Sequence, residues 1–530
     1  MIVFKMHQNF RLDKAGYINR DKKISFNFNG KKYFGYEGDT LASALIANGI
    51  HLVGRSFKYH RPRGFIGAGV DEPNAHVQLY KGAKTEPNAV ATSIELVEGL
   101  VATSQNCWPS VSFDFGFINN LLNKIFPAGF YYKTFMWPKN FWYKIYEPII
   151  RRAAGLGVAP LKPDPDRYEH RFEHCDLLVA GSGPSGLASA LAAAKNGAKV
   201  ILAEDKPRFG GSLLTDEVTI GNKKGKDWAD ETVAQLKSMS NVIVKNRSQV
   251  FGYYDHNMMV MNERIKDHIK NPSKFTPRQK LWYIRAKEVI ISTGSIERPL
   301  VFGNNDRPGI MLASAAKEYM KVYGVLVGKK PIIFTNNDSA YDTAIEFKKN
   351  GIDPLIVDVR TNSESSVVNE AKNLNINIKF SHGVVNSKGH LRVSSATIGK
   401  LSNDKSYYES LENVSCDCIC VSGNWTPTVH LSSQSGNKLK FDEKTDAFLP
   451  NQSRQNETTV GSANGTFTLK QSLDDGFNKG YELSNKITKK NSKSTTPTSN
   501  EKKYGSHEKF WCMPLPKNKN YKRFVDFQND

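Results

Sequence analysis

The chain has 530 residues and carries 73 Lys plus Arg against 52 Asp plus Glu, which gives a formal net charge of +21. This length exceeds one ordinary domain. The charge predicts attraction to anions of some kind, but the lysines are scattered among Asn and Ser without a basic stripe interleaved with aromatics, so we expect no nucleic-acid partner. Residues 1–14 are charged throughout and no apolar run approaches ~18 residues, which predicts a cytoplasmic protein without a membrane span.

Six cysteines are too few and too scattered for a disulfide framework in a chain of this length. Cys416, Cys418 and Cys420 alternate along the chain and would share one face of a strand. We favour a buried strand over a metal site here, because structural zinc usually needs C-x₂₋₄-C pairs. No metal site is therefore predicted.

Residues 1–115 indicate a β-grasp domain of the ferredoxin type. Two alternating runs flank Asn29-Gly30, the dipeptide most expected in a two-residue hairpin turn, and Thr40 is placed to cap a helix over 41–48. A plant-type ferredoxin would hold its [2Fe–2S] cluster with C-x₄-C-x₂-C and a later cysteine. Since Cys107 is the only cysteine before residue 170, we expect this domain to lack a cluster.

Residues 116–170 form an aromatic-rich connector in this interpretation. The stretch 126–150 combines many aromatics with lysines, which is compatible with a bilayer interface, a nucleic-acid stacking face or a buried protein contact. We favour the protein contact, because Pro127, Pro138 and Pro148 interrupt any long amphipathic helix.

The strongest motif lies in the predicted main domain, 171–485. Residues 175–205 read as strand, Gly181-Ser182-Gly183-Pro184-Ser185-Gly186 turn, helix and second strand. The first glycine permits the tight turn, the second lets a pyrophosphate approach the backbone, and the third allows the helix to lie close to the sheet. Glu204 follows the second strand, 23 positions after Gly181, where a carboxylate can bind ribose hydroxyls. This pattern predicts an ADP-containing dinucleotide and favours NAD or FAD over NADP, although Lys206 and Arg208 weaken that preference.

A second βαβ unit is predicted at about 325–395, inside the main domain. It repeats the strand, turn and helix pattern from Pro331 to Asp358, but Thr335 and Asn337 replace the first two glycines. We expect their side chains to leave this site empty or able to bind only something smaller.

Residues 486–506 are rich in Lys, Ser, Thr and Asn and predict a flexible linker. Residues 507–530 are apolar and aromatic again, as at the start of a further region.

Further motifs resemble those of flavoproteins with two dinucleotide-binding domains. Phe209-Gly210-Gly211 completes an E-x₅-GG pattern, and Thr293-Gly294 matches the end of the A-T-G strand. The distal G-D motif is represented by Gly461-Ser462, without the aspartate that would hold a flavin ribityl chain, which favours NAD with FAD as the alternative. The predicted fold class is thus α/β, with a two-dinucleotide-binding core preceded by a cluster-free β-grasp domain. The candidate cofactor-binding residues are Gly181, Ser182, Gly183, Pro184, Ser185, Gly186, Glu204, Asp205, Gly211, Ser212, Val250, Thr293 and Gly294.

Taken whole, the chain resembles the alpha subunit of heterotetrameric sarcosine oxidase. The resemblance is carried by the stretches 55–64, 104–110, 181–188, 210–214, 336–341 and 524–530. It implies a bound NAD, a flavin-containing beta subunit on which the small amine is oxidised, smaller subunits, and FMN shared at the contact with the beta subunit. Family members continue beyond the last motif into an aminomethyltransferase-like domain, so folate binding is not assigned to these residues.

Three hypotheses follow from the sequence. The first is a sarcosine oxidase type subunit that acts with partners on CH–NH donors and is inactive alone. The second is a stand-alone NAD(P)H- or FAD-linked oxidoreductase, which the missing ribityl aspartate and the absence of a C-x₂-C or C-x₄-C pair disfavour. The third is a ligand-free assembly subunit. No catalytic residue can be named from the sequence, and the basic loop around His60 reads as a solvated loop or as a contact to FMN phosphate or a partner.

Overall fold

The computed structural model describes residues 8–122, 135–153, 157–493, 495–500, 502 and 504–525. The chain forms two compact units: the first is Met1–Pro165, Pro299–Asn424 and Tyr504–Asp530, and the second is Asp166–Arg298 and Trp425–Lys503. This grouping differs from a contiguous domain over 171–485. Residues 299–424, which contain the second βαβ unit, have their contacts within the first unit.

The described elements are numbered in chain order, with short 3₁₀ segments left unlabelled. The strands are β1 Asn19–Phe28, β2 Lys31–Glu37, β3 Gly54–Arg55, β4 Pro62–Arg63, β5 His76–Leu79, β6 Glu86–Val90, β7 Val101–Ser104, β8 Tyr168–Ala180, β9 Val200–Ala203, β10 Thr219–Ile220, β11 Lys223–Lys224, β12 Val242–Lys245, β13 Ser248–Tyr254, β14 Met258–Arg264, β15 Gln279–Ile291, β16 Ser295–Glu297, β17 Ile310–Leu312, β18 Pro331–Thr335, β19 Leu355–Asp358, β20 Asn377–Phe380, β21 His382–Gly389, β22 Val393–Leu401, β23 Tyr408–Ser415, β24 Cys418–Ser422, β25 Trp425–Pro427, β26 Lys438–Asp442, β27 Ala447–Gln452, β28 Glu457–Thr459 and β29 Ser499–Asn500. The α-helices are α1 Leu41–Ala47, α2 Ile118–Leu121, α3 Glu147–Ala153, α4 Pro184–Lys195, α5 Gly225–Ser238, α6 Ala313–Tyr323, α7 Ser339–Lys349, α8 Ser366–Asn373, α9 His430–Gln434 and α10 Leu469–Thr488.

The first unit begins with a five-stranded sheet in the order β2-β1-β7-β5-β6. The predicted hairpin is confirmed, because β1 and β2 are antiparallel and Asn29 and Gly30 both have positive φ in the turn between them. The Thr40 side chain caps α1 in a capping box with Ser43, and every residue of this helix is buried. A hairpin followed by a buried helix is the β-grasp arrangement that the sequence predicts.

A second sheet of the first unit contains only parallel pairs, in the order β17-β24-β18-β19-β20. Its strands are almost continuously apolar, as expected for strands covered on both faces. Cys418 and Cys420 lie on β24 with Cys416 just before it, and all three are at most 2% exposed. The cysteines therefore contribute to the core, as the alternating pattern indicated.

The sheet of the second unit has the strand order β12-β9-β8-β15-β14-β13, and β28 also pairs with β15. The strands β12, β9, β8, β15 and β28 are parallel, whereas β13 and β14 form an antiparallel extension. Helix α4 connects β8 to β9 and is buried over most of its length. The predicted α/β class with a dinucleotide-binding core is therefore confirmed, and the carboxyl ends of the parallel strands meet at one edge.

Helices α4 and α10 approach closely because glycines on α10 face the α4 backbone. A Cβ atom at Gly476 would lie 2.3 Å from the carbonyl oxygen of Ser185, and one at Gly480 would lie 2.6 Å from that of Ser189. The Ser189 hydroxyl also donates to the Gly476 carbonyl at 3.1 Å. Gly476 and Gly480 thus allow α10 to pack closely against α4. The first turn of α4 forms part of the Gly181–Gly186 motif.

We predict that Gly480→Leu lowers the stability of the second unit by about 1–3 kcal/mol, because the added side chain cannot fit against the Ser189 backbone. Thermal unfolding should show a lower Tm for this variant. The control is Lys479→Leu, one position earlier on the same helix, where the side chain is 38% exposed. Equal melting temperatures for the two variants would contradict the close packing of α4 and α10.

The predicted connector and the predicted linker both contain local structure in their described parts. Of the aromatic stretch 126–150, residues 126–134 lie outside the described residues, while 142–146 form a single π-helical segment that continues into α3. The predicted linker 486–506 has local structure in its described part, where α10 extends to Thr488 and β29 pairs with β10. Among the described residues, each helix is too short or too polar to cross a bilayer.

Candidate functional site

The glycine turn between β8 and α4 has no room for side chains at its first and third positions. Gly181 has φ +102°, and a Cβ there would lie 2.3 Å from the Ser292 carbonyl oxygen. A Cβ at Gly186 would lie 2.1 Å from the Gly181 carbonyl oxygen. These two positions need glycine because the turn, the helix and the end of β15 are in direct contact.

The second glycine faces open space. Gly183 immediately precedes α4, and a Cβ built on it would have no atom within 4 Å. Pro184 occupies the first helical position, where a missing N–H costs nothing. The first turn of a helix leaves N–H groups without intrahelical acceptors and carries partial positive charge. The geometry at Gly183 therefore fits a phosphate group approaching the backbone.

The Gly210-Gly211 pair closes one side of this space. The Gly210 N–H donates to the Ser182 carbonyl at 3.1 Å. A Cβ at Gly211, which has φ +54°, would lie 2.9 Å from the Gly183 Cα atom, and Ser212 follows in a short 3₁₀ segment. The E-x₅-GG motif thus lies against the glycine turn, although the two are far apart in sequence.

Glu204 connects the end of β9 to the turn. Its Oε2 accepts hydrogen bonds from the N–H (3.0 Å) and the hydroxyl (2.5 Å) of Ser182, and its Oε1 accepts from the Lys206 N–H at 3.0 Å. Burial, with the neighbouring Asp205 charge, raises the pKa of Glu204 to about 8. At neutral pH this pKa leaves the side chain as a carboxylic acid, which has one O–H to donate as well as acceptor oxygens and so suits a hydroxyl partner such as a ribose.

Asp205 and Val250 lie beside Glu204. The Ser248 N–H, at the start of β13, donates to the Glu204 carbonyl at 2.7 Å, which brings the strand that carries Val250 to this corner of the site. Arg264 on β14 donates to the Asp205 carbonyl at 3.0 Å. Val250 is half-buried against an apolar cluster that contains Met259 and Met261.

The opposite side of the site is formed by residues after β15 and β28. Thr293 donates its hydroxyl to the Thr428 carbonyl at 2.9 Å, and a Cβ at Gly294 would lie 3.9 Å from the Ser462 hydroxyl. A Cβ at Gly461 would lie 2.3 Å from the Ser185 hydroxyl, so the turn after β28 also contacts α4. The glycine turn, Glu204, Gly211 and Thr293-Gly294 therefore lie near the carboxyl ends of the parallel strands. Val250 lies on β13 of the antiparallel extension and is linked to this region through the hydrogen bond of Ser248 to Glu204.

Two contributors were missed by sequence reasoning. Ser292 donates its hydroxyl to the carbonyls of Ala180 and Gly181, which fixes the end of β8 to the end of β15. Asp475 on α10 accepts from the Gly461 N–H at 2.9 Å, and burial raises its pKa. Ser292 immediately precedes Thr293 in the strand-end motif but was not among the predicted site residues. Asp475 lies outside the predicted motifs, and the Gly476–Gly480 spacing that follows it is the sequence signal that could have drawn attention to α10.

The raised pKa of Glu204 predicts a pH-dependent stability. Because its folded pKa of about 8 lies above its ordinary value of 4.5, this contribution is fully present below pH 4.5 and is lost as the pH rises through 8. The loss amounts to at most about 5 kcal/mol. Urea unfolding from pH 5 to 9 should show a smaller decline for Glu204→Gln than for the wild type. Identical profiles would show that the carboxyl titrates normally.

The second βαβ unit is filled by the chain itself. The Thr335 hydroxyl and the Asn337 backbone bond to each other, and the Asn337 amide group donates to the Ser422 hydroxyl at 3.0 Å. The segment 504–511 covers the same edge of the sheet, since Asn336 and Glu508 exchange hydrogen bonds of 2.9 and 2.8 Å. The Arg360 guanidinium also donates to the Ser506 carbonyl at 3.2 Å. The turn after β18 is therefore covered by the chain's own polar groups.

The loop after α1 does not fit an iron–sulfur cluster. Residues 48–75 contain no cysteine. The buried Glu72 carboxylate there accepts the N–H groups of Ile66, Gly67 and Asn74, each at 2.7 Å, and of Ala75 at 3.1 Å. Burial raises the pKa of Glu72 to about 7, against the opposing effect of these bonds. One carboxylate thus satisfies the converging backbone donors of the loop. Among the described residues there is also no group of His, Cys, Asp and Glu that could hold a metal ion.

Family models match two stretches of the chain. One described as a 2Fe-2S iron-sulfur cluster binding domain matches residues 21–107, and one described as an FAD dependent oxidoreductase matches residues 176–266. The structure of L-proline dehydrogenase from P. horikoshii superposes with a TM-score of 0.58 over 91% of this chain and 75% of that one, at 18% identity. The family models and the fold thus indicate a protein with a dinucleotide-binding fold of the oxidoreductase type and a ferredoxin-like domain.

Sequence comparison with individual proteins identifies the family. The alpha subunit of sarcosine oxidase from Rhizobium meliloti (strain 1021) is 42% identical over 98% of this chain, and that from Corynebacterium sp. (strain P-1) is 32% identical over 87%. An opine oxidase subunit from Agrobacterium tumefaciens (strain Ach5) is 27% identical over 32% of this chain and 35% of its own length. The chain is a relative of the sarcosine oxidase alpha subunits over almost its whole length, and it spans 52% and 43% of the length of the two relatives compared.

Proposed function

We propose that this chain is the alpha-type subunit of a hetero-oligomeric oxidase that acts on CH–NH donors such as sarcosine, and that its glycine turn binds NAD. The observation that carries the proposal is the open space at Gly183 between the first turn of α4 and the Glu204 carboxylate. Similarity to sarcosine oxidase and opine oxidase subunits supports the reaction class. When bound, NAD supplies a nicotinamide ring that can carry hydride. In this proposal, however, NAD has a mainly structural role.

The proposed roles of the residues follow from their positions. The backbone around Ser182–Gly186 would hold the diphosphate, with Gly211 and Ser212 closing the same space. Glu204 would accept from the adenosine ribose, with Asp205 and Val250 beside it. Thr293 and Gly294 would border the other half of the dinucleotide.

The preference for NAD over FAD rests on the turn after β28. A flavin ribityl chain is held in related folds by an aspartate, and Ser462 stands there instead. The Gly461 N–H is already donated to Asp475, so this turn offers less to a flavin than the usual motif does. FAD remains the second candidate because the matching family model for residues 176–266 is that of FAD dependent oxidoreductases.

The amine would be oxidised on a partner rather than on this chain. The proposal assigns FAD and the substrate to a beta-type subunit, with FMN at the contact between the two chains and smaller subunits completing the assembly. The relatives with subunit designations support a hetero-oligomer. The second βαβ unit, which the segment 504–511 covers, also supports action with partner subunits. A stand-alone reductase would need a binding site for NAD(P)H in that unit. We therefore expect no amine oxidation by the isolated chain.

The nucleotide site can be tested with Gly183→Trp. The indole would fill the open space at the glycine turn and block the backbone, so this variant should lose more than roughly 90% of any retained nucleotide, as expected when a diphosphate is excluded from its donors. Protein would be heat-denatured and the released nucleotide identified by liquid chromatography and mass spectrometry. The matched control is Ser238→Trp at the exposed end of α5 in the same unit.

The identity and amount of the nucleotide distinguish the hypotheses. One equivalent of NAD per chain in the wild type and in Ser238→Trp, with none in Gly183→Trp, agrees with the proposal. FAD together with NADH oxidation by the isolated chain would favour the stand-alone oxidoreductase. A wild-type protein that releases no nucleotide, even after incubation with NAD or FAD, would favour the ligand-free assembly subunit.

A further inference from the structure

An exposed apolar surface follows the last strand of the ferredoxin-like sheet. We define the 108–122 patch as Trp108, Phe113, Phe115, Ile118, Leu121 and Leu122, which are between 41 and 71% exposed. The Phe115 ring lies 5.1 Å from the Trp108 ring and 5.2 Å from the Phe113 ring, measured between centroids. The aromatic part of the patch is therefore one cluster, and an exposed cluster of this kind marks an interaction site.

The patch is held in place by a buried polar network. The Asp114 Oδ2 atom lies 2.7 Å from His60 Nδ1, and its Oδ1 accepts the N–H groups of Trp108 at 2.9 Å and Gly116 at 3.2 Å. The buried Arg55 side chain donates to the Val111 carbonyl at 2.8 Å. The exposed aromatics are thus positioned by interactions beneath them.

The backbone beneath the patch is also constrained. His60 has φ +52°, a conformation that a residue with a Cβ adopts at a cost of about 1–3 kcal/mol. A Cβ at Gly116 would lie 2.2 Å from His60 Nδ1, so the turn lies directly on the imidazole ring. These contacts hold the backbone beneath the patch in one conformation, and a surface arranged in advance loses little entropy when a partner binds.

The charges around the patch restrict the partner. The Lys522 ammonium donates to Asn120 at 2.8 Å, and the Lys58 carbonyl accepts from Asn119, so two lysines border α2. Asp114 is the only acidic residue in the sequence from 108 to 122, and its carboxylate is buried against His60. A second copy of a chain with net charge +21 would bring like charges together. The 108–122 patch instead fits a different protein, whose contact surface has an apolar centre and acidic groups at its edge.

We propose that the 108–122 patch is the surface on which the flavin-carrying oxidase subunit docks, with acidic groups of that subunit facing Lys58 and Lys522. This inference rests on the proposed function, because it takes the partner's identity from there. It assigns a role to the two motifs around 55–64 and 104–110, which the nucleotide site does not use. His60, Asp114 and Arg55 act as positioning residues for the patch.

The test uses the full chain co-expressed with the flavin-carrying subunit of its own complex. Complex formation would be followed by gel filtration with detection of flavin absorbance, and Kd by titration of the separated flavoprotein. We expect Phe113→Asp and Leu121→Asp to weaken binding at least about 10-fold, as is typical of interface anchors. Leu161→Asp is the matched control at a 99% exposed leucine of the same unit, and its Kd should change less than about 2-fold.

Each outcome supports or overturns the inference. Retained nucleotide and an unchanged Tm show that the patch variants are folded; should Leu121→Asp unfold, Leu121→Gln replaces it. Unchanged Kd values for folded patch variants overturn the docking surface but leave the proposed function intact. Loss of self-association, or of binding to phosphatidylserine vesicles, in these variants without an effect on the flavoprotein also overturns it. A wild-type chain that forms no complex with the flavoprotein overturns both proposals.

Discussion

The contact between Ser182 and Glu204 is the interaction on which the proposed dinucleotide site depends. It joins the turn after β8 to the end of β9, and it buries a carboxylate that three donors satisfy. Such a buried group is tolerated because its hydrogen bonds compensate for lost hydration. The same contact leaves Gly183 exposed to open space while Gly181 and Gly186 are tightly enclosed. The Glu204 carboxyl group therefore fixes the turn that precedes Gly183 to the end of β9.

The two βαβ units show how small changes in one turn alter the use of a common fold. In the first, glycines leave the backbone accessible at the end of the strand. In the second, Thr335 and Asn337 bond to each other and to Ser422, and the segment 504–511 covers them. The side chains that replace glycine have become structural groups, since each of their polar atoms finds a partner within the chain.

The ferredoxin-like domain also satisfies buried backbone groups with its own side chains. In the loop after α1, the buried Glu72 carboxylate accepts four backbone N–H groups. The following segment is fixed by His60 and Asp114 and presents aromatic side chains outward. This domain therefore holds an exposed apolar surface in a fixed position.

Local patterns in the sequence were sufficient for the hairpin at Asn29-Gly30, the capped helix after Thr40 and the glycine turn at Gly181, because each depends on backbone requirements of a few adjacent residues. The tertiary structure alone decided which distant groups meet. Asp475 bonds to Gly461, the segment 504–511 closes the second unit, and residues 299–424 join the first unit. These outcomes depend on packing and on pairing of buried polar groups across long sequence separations, which no local pattern encodes.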